Sequence, residues 1–98
     1  MLVAFSVTPI GTASTSVSAA VAEAVRVVRE SGLPNRTDSM FTTIEGEWDE
    51  VMAVVRRAML AAGQGTGRVS LVLKADDRTD TAGTMESKIA SIERRLQG

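Results

Sequence analysis

From Leu2 to Thr8 the chain alternates. Val3, Phe5 and Val7 fall on one side of an extended backbone and Ala4, Ser6 and Thr8 on the other, which predicts a first strand. Pro9 and Gly11 stop it. In the Thr- and Ser-rich run 12–18, Ser14 or Ser16 is placed to cap a helix by accepting from free N–H groups of its first turn. Val17, Val21, Ala24, Val25 and Val28 then recur at the spacing of a helix face packed on a sheet. Ser31-Gly32 ends that helix and Pro34 prevents its resumption.

Residues 35–46 are polar with β-branched positions and predict two short strands, 35–40 and 42–46, with Met40 and Phe41 near the hairpin turn. On the second strand Ile44 points one way while Thr43 and Glu45 point the other. A second helix follows, with Glu47, Asp49 and Glu50 at its start and Arg56 and Arg57 later, an order that suits the helix dipole. Its apolar stripe reads Trp48, Val51, Met52, Val55 and Met59. Glycines at 63, 65 and 67 make a flexible connector; they leave a helix and enter a strand, the reverse of a phosphate-cradling loop. Residues 68–76 alternate most clearly, with Val69, Leu71, Leu73 and Ala75 on one face and Arg68, Ser70, Val72 and Lys74 on the other. After an acidic loop, Thr84 is placed to cap a last helix with Met85, Ile89, Ile92 and Leu96 on one stripe and Arg94 and Arg95 in its final turns.

The order β-α-β-β-α-β-α describes an α+β, ferredoxin-like βαββαβ sandwich, a four-stranded antiparallel sheet with two helices on one face, plus a C-terminal helix. The 98 residues suffice for one core, and no repeat divides them, so residues 1–98 are read as a single domain. The face opposite the helices is Ala4, Ser6, Thr8, Thr43, Glu45, Ser70, Val72 and Lys74. These short or hydroxylated side chains, with one acid and one base, are unlike the long charged chains that usually meet water. Three explanations stand side by side: a second subunit, a small polar ligand held by hydroxyls and Glu45, or a twisted sheet lightly covered by the last helix.

Composition narrows the chemistry. Without Cys or His, no Ser-His-Asp or Cys-His nucleophile, thiolate redox pair or zinc site with nitrogen or sulfur ligands can form. Tyr is absent too, so proton transfer near neutral pH would fall to a shifted Glu, Asp or Lys. Eleven basic against twelve acidic residues, with no basic cluster, lack the footprint of a nucleic-acid binder. No apolar run is long enough for a membrane span, and the start has no basic n-region of a secretory signal. With no disulfides possible, a cytoplasmic location is expected.

Glu45, flanked by Thr43 and followed by Gly46, is the first candidate for a ligand amine or cation; the plain alternative is a solvated carboxylate paired with Lys74. Asp76, Asp77 and Asp80 offer oxygens, but the run lacks the alternation, central glycine and closing Glu of an EF-hand, so no metal is expected and Arg78 is read as tying the loop. Residues 12–18 join the first strand to a helix N-terminus that suits an anion, although capping explains their composition. Trp48 opens an apolar stripe and reads as core; Phe41, beside Met40, is placed to stack on a ring.

Several segments together resemble the thiamine-binding-protein family, YkoF-like small cytoplasmic proteins formerly grouped as a domain of unknown function. They are Pro9-Ile10-Gly11-Thr12, Ser16-Val17-Ser18, Ser31-Gly32-Leu33, the run from Thr43-Ile44-Glu45-Gly46-Glu47-Trp48 to Val51, and Asp76-Asp77-Arg78. The likeness covers nearly the whole chain in order. It implies a ferredoxin-like subunit, assembled as a homodimer or homotetramer, that binds thiamine or its hydroxymethylpyrimidine moiety without turnover, thiamine being ligand rather than cofactor. Thr43 and Glu45 match the family's hairpin motif, and Asp77 with Arg78 its acidic run; Ser18, Asn35, Met40 and Phe41 join the candidate site by position. Where the family often has a small residue at the hairpin turn, this chain has Phe41.

Three functions compete on these grounds. One is a non-catalytic ligand binder; the second is an interaction module whose sheet surface serves oligomerisation alone. The third is an enzyme using Glu45 as acid/base with Lys74 or Arg78 steadying charge, for which no complete site is visible.

Overall fold

A computed structural model describes residues 1–11, 18–78 and 85–97, the side chains of residues 85–87 excepted. The proposed helix caps Ser14, Ser16 and Thr84, the stripe residues Val17 and Met85, and the loop residue Asp80 lie outside what it describes. The elements are β1 (Leu2–Ile10), α1 (Ser18–Glu30), β2 (Asn35–Thr37), β3 (Thr42–Glu45), α2 (Trp48–Ala62), β4 (Arg68–Asp76) and α3 (Met85–Gln97). The sheet is antiparallel throughout in the order β2-β3-β1-β4, the expected ferredoxin-like arrangement.

Alternation sorts the strands as expected. Val3, Phe5, Val7 and Ile44 are buried under the helices, against Ala24 and Val28 of α1 and Val51, Val54, Val55, Ala58 and Ala62 of α2. Val69, Leu71 and Leu73 pack against this core only half-buried, because β4 is the last strand of the sheet. The buried line of α2 differs from the expected stripe. Trp48 is 53% exposed, while Val54 and Ala58 face inward. Apolar residues surround most of α2, and its small side chains are the ones that let α1 and the sheet approach closely.

Local chemistry sets the element ends. α1 stops where Ser31 donates through both its N–H and its hydroxyl to the Val28 carbonyl, and Gly32 then turns the chain at φ +79. β2 ends at Thr37, short of the expected 40. The Asp38 carboxylate there accepts from the backbone N–H groups of Met40 and Phe41, both at 2.8 Å, and closes a turn. α3 lies apart, with no broad packing against sheet or helices, and the molecule is correspondingly long, 51 × 28 × 20 Å. Lys88 in its first turn pairs with Asp76 at the end of β4. The covering of the sheet by the last helix that the sequence allowed is therefore absent over most of the face, and Ile92 and Leu96 stand 58% and 76% exposed.

Candidate ligand site

The two neighbours of β1 differ in length, and this difference opens a notch. β4 pairs with β1 along all nine residues, Leu2↔Asp76 to Ile10↔Arg68. β3 pairs only from Leu2↔Glu45 to Phe5↔Thr42. From Ser6 onward β1 has no strand on the β3 side among the described residues, and Pro9, with no N–H to donate, sits in that unpaired half. A notch of about 190 Å³ opens there, walled by β1 from Phe5 to Thr8, by Val21, Ala24 and Val25 of α1, and by the hairpin turn from Thr37 to Thr42. Met40 and Phe41 line it, as expected of residues at the turn. Ser6 and Thr8, which the sequence placed on the hydroxyl-rich open face, also line it, as does Asp38, which sequence reasoning had not singled out. The only signal for Asp38 was an Asp at the start of a turn.

Alternation along β3 leaves Thr42 and Ile44 buried and Thr43 and Glu45 half-buried on the other side, and the half-buried Phe41 immediately precedes the strand. A hydroxyl and a carboxylate thus share one side of the strand, with an aromatic residue just before it, the three spread over about 13 Å of chain. Thr43 lies opposite Ala4, and Glu45 opposite Leu2, which faces Asp76 on its other flank. Asp77 and Arg78 follow Asp76, at the same end of the sheet as Glu45 but two strands away. The remaining candidates lie elsewhere. Asn35 pairs with the core residue Ile44 and its side-chain amide donates to the Leu33 carbonyl at 2.8 Å, which fixes the chain entering β2. Ser18 opens α1 and borders a shallow groove on the outer side of that helix, which shares Val21 and Val25 with the notch.

The hairpin turn is held electrostatically as well as sterically. The N–H groups of Phe41 and then Met40 hold the exposed Asp38 carboxyl below its ordinary value of 3.8. A depressed carboxyl stabilises the fold above its unfolded pKa and loses that effect as pH falls through its folded one. The turn that presents Met40 and Phe41 is therefore expected to stay closed at neutral pH and to loosen only below about pH 4. Amide exchange of Met40 and Phe41 checks this: protection should fade on acidification in the parent protein and be low at every pH in Asp38→Ala. Equal protection in the two proteins would show that the carboxylate does not hold the turn. Asp76 is also lowered, by the Lys88 hydrogen bond and charge first, an effect that secures α3 rather than the site. Among the described residues, no cluster of three or more acidic residues could hold a metal ion, and no helix is long and apolar enough to cross a membrane.

Fold and geometry define a class first: a ferredoxin-like α+β fold with polar residues along the open side of β3 and a shallow notch beside the hairpin turn. The chain belongs to the thiamine-binding protein family, whose model matches residues 3–93. It is 55% identical over 97 residues to the UPF0045 protein Mb1933 of Mycobacterium bovis, covering 98% of this chain and 94% of that one. The UPF0045 protein YqgV of Bacillus subtilis is 38% identical over 94 residues, covering 91% and 90% of the two chains. In three dimensions the chain is similar to the hypothetical protein MJ1052 of Methanocaldococcus jannaschii, with a TM-score of 0.85, 32% identity and 94% of each chain covered. A domain of unknown function, DUF77, from Bacillus cereus gives 0.79 at 34% identity, with 90% of this chain and 85% of that one covered.

Proposed function

We propose that this protein binds thiamine, or its hydroxymethylpyrimidine moiety, without chemical turnover, as a cytoplasmic homodimer or homotetramer. The observation that carries the reading is the run of Thr43 and Glu45 on one side of β3 with Phe41 just before the strand, beside the notch. An aminopyrimidine presents ring nitrogens and an exocyclic amine, which a carboxylate and a hydroxyl pair well. A thiazolium is a permanent cation and favours an aromatic face. Glu45 and Thr43 take the first ring and Phe41 the second, while Met40 closes the rim. Asp77 and Arg78, at the Glu45 end of the sheet, are placed to reach the polar substituents of a ligand lying across β1. Family membership supports the ligand, and the lack of His, Cys and Tyr supports binding without turnover. Neither nucleic acid nor a membrane enters this reading.

Calorimetric titration with thiamine, its phosphates and free hydroxymethylpyrimidine tests it. One saturable site per subunit or per dimer is expected. Glu45→Ala is expected to weaken thiamine at least tenfold, about 1.4 kcal/mol or more, with the fold intact by circular dichroism. Unchanged affinity would remove Glu45 from the site. No heat with any compound, from a well-folded oligomer, would leave the interaction module as the better reading.

A further inference from the structure

The notch does not end at α1. Val21 and Val25 line it, and they also line the shallow groove along the outer side of that helix, together with Ser18, Ala22, Arg26 and Arg29. At about 3.6 residues per turn, the order of side chains around α1 leading away from the notch is fixed. Val21 and Val25 come first, then Ser18, Arg29 and Ala22, then Arg26, and only beyond them the acids Glu30, at the groove's far margin, and Glu23. Ser18 and Ala22 are short and stand one above the other, which makes the dip; the longer arginine side chains rise around it. Arg26 is joined to Glu23 at 3.4 Å with both side chains more than half exposed, so that pair is weak and gives way to a stronger acceptor.

We infer that this groove receives the phosphate arm of a phosphorylated thiamine, so that thiamine monophosphate and diphosphate bind more tightly than thiamine itself. The inference rests on the thiamine reading above and adds the class of ligand to it. In that reading the aminopyrimidine lies toward Glu45 and the thiazolium toward Phe41 and the notch. A thiazolium carries its link to the pyrimidine and its hydroxyethyl arm on opposite sides of the ring. The arm therefore leaves the notch on the side away from Glu45, where α1 forms the wall. Past the apolar ridge of Val21 and Val25 it meets Arg29, one turn or about 5.4 Å beyond Val25 along the helix, and then Arg26. A neutral hydroxyl gains little from two guanidinium groups, whereas a phosphate ester is the anion that their paired N–H donors fit. Each part of the ligand then meets its complement in order: amine on carboxylate, ring cation on aromatic face, phosphate on guanidinium.

Calorimetric titration of the full chain with thiamine, thiamine monophosphate and thiamine diphosphate, at one low ionic strength, tests this. Both phosphates should bind about tenfold tighter than thiamine, the gain expected of charge-assisted hydrogen bonds at an open site. Added potassium chloride should erode that gain. Replacing both cations, Arg26→Gln with Arg29→Gln, should bring the phosphates down to the affinity of thiamine, while Arg29→Lys keeps part of the preference. Both positions are exposed, so the variants should fold, which circular dichroism checks. Phosphates that bind no tighter than thiamine, or a preference that survives the double substitution, would overturn the inference and leave the thiamine reading standing. Inorganic diphosphate binding as tightly as the thiamine ester would reduce the groove to a general anion site and overturn it too. No binding of thiamine or of its phosphates would overturn both.

Discussion

Replacing Ile44 with Ala is expected to destabilise the protein by about 3–4 kcal/mol, while Thr43→Ala beside it costs under about 1 kcal/mol. Ile44 is fully enclosed, between Val3 on β1 and Asn35 on β2 in the sheet and beneath the helices. Truncation removes the transfer energy of three carbons and leaves a cavity that close-packed neighbours fill only in part. For a domain of this size, whose total stability is about 5–15 kcal/mol, such a loss lowers the melting temperature by about 15–25 °C. Thr43 is half-buried on the other side of the same strand, so its truncation leaves no closed cavity. Thermal and urea unfolding at one fixed protein concentration measures both, the concentration being held because assembly adds to apparent stability. Similar small losses at the two positions would contradict the assignment of faces on β3, and with it the row that carries the proposed site.

That assignment was legible in the sequence because strand periodicity is strict. Arg68–Asp76 appears as read, to the residue, since nine alternating positions lie between a glycine-rich connector and an acidic loop. The sandwich topology and the sides of β1 and β3 follow from the same rule. The register of α2 was harder to read. With Trp48, Val51, Met52, Val54, Val55, Met59 and Leu60 spread around it, several stripes are equally apolar, and burial fell on the one that includes Ala58 and Ala62. Small residues win there because close helix approach is decided by both partners. The end of β2 depended on one side-chain hydrogen-bond acceptor, Asp38, which no periodicity detects.

The placement of the candidate residues was legible in part for the same reason. Thr43 and Glu45 share a side because the strand alternates, and Phe41 immediately precedes it. Asn35 lies one strand away on the core side, and Ser18 on the outside of α1, because the face on which each falls is set by the hairpin turn and the first loop rather than by spacing. The notch could not be foreseen at all. It exists because β3 is four residues long beside a nine-residue β1, a mismatch of pairing lengths that has no local signature apart from Pro9. The two flanks of β1 thus differ: the short hairpin leaves a stretch of it unpaired, while full pairing on the other side leaves β4 as the long straight edge.

Phe41→Ala is expected to weaken thiamine by about 30-fold and free hydroxymethylpyrimidine by less than about threefold, whereas Glu45→Ala weakens both. The difference follows from the order of groups along β3. Phe41 lines the notch, and in the proposed reading it would meet the cationic ring, where a desolvated cation–π contact contributes about 2 kcal/mol. Glu45 lies about 13 Å further along the chain and, in the same reading, would pair the aminopyrimidine, which both ligands contain. Because the two side chains touch different rings and share no partner in this reading, the double variant should lose affinity for thiamine by close to the product of the single losses. The turn itself does not depend on the Phe41 ring: Asp38 holds it through backbone N–H groups, which alanine retains. Calorimetry on the four proteins with both ligands decides the matter. A Phe41→Ala variant that loses both ligands equally would place the pyrimidine in the notch and reverse the orientation; one that loses neither would move the ligand off this row altogether, leaving the hydroxyl-rich face to subunit packing.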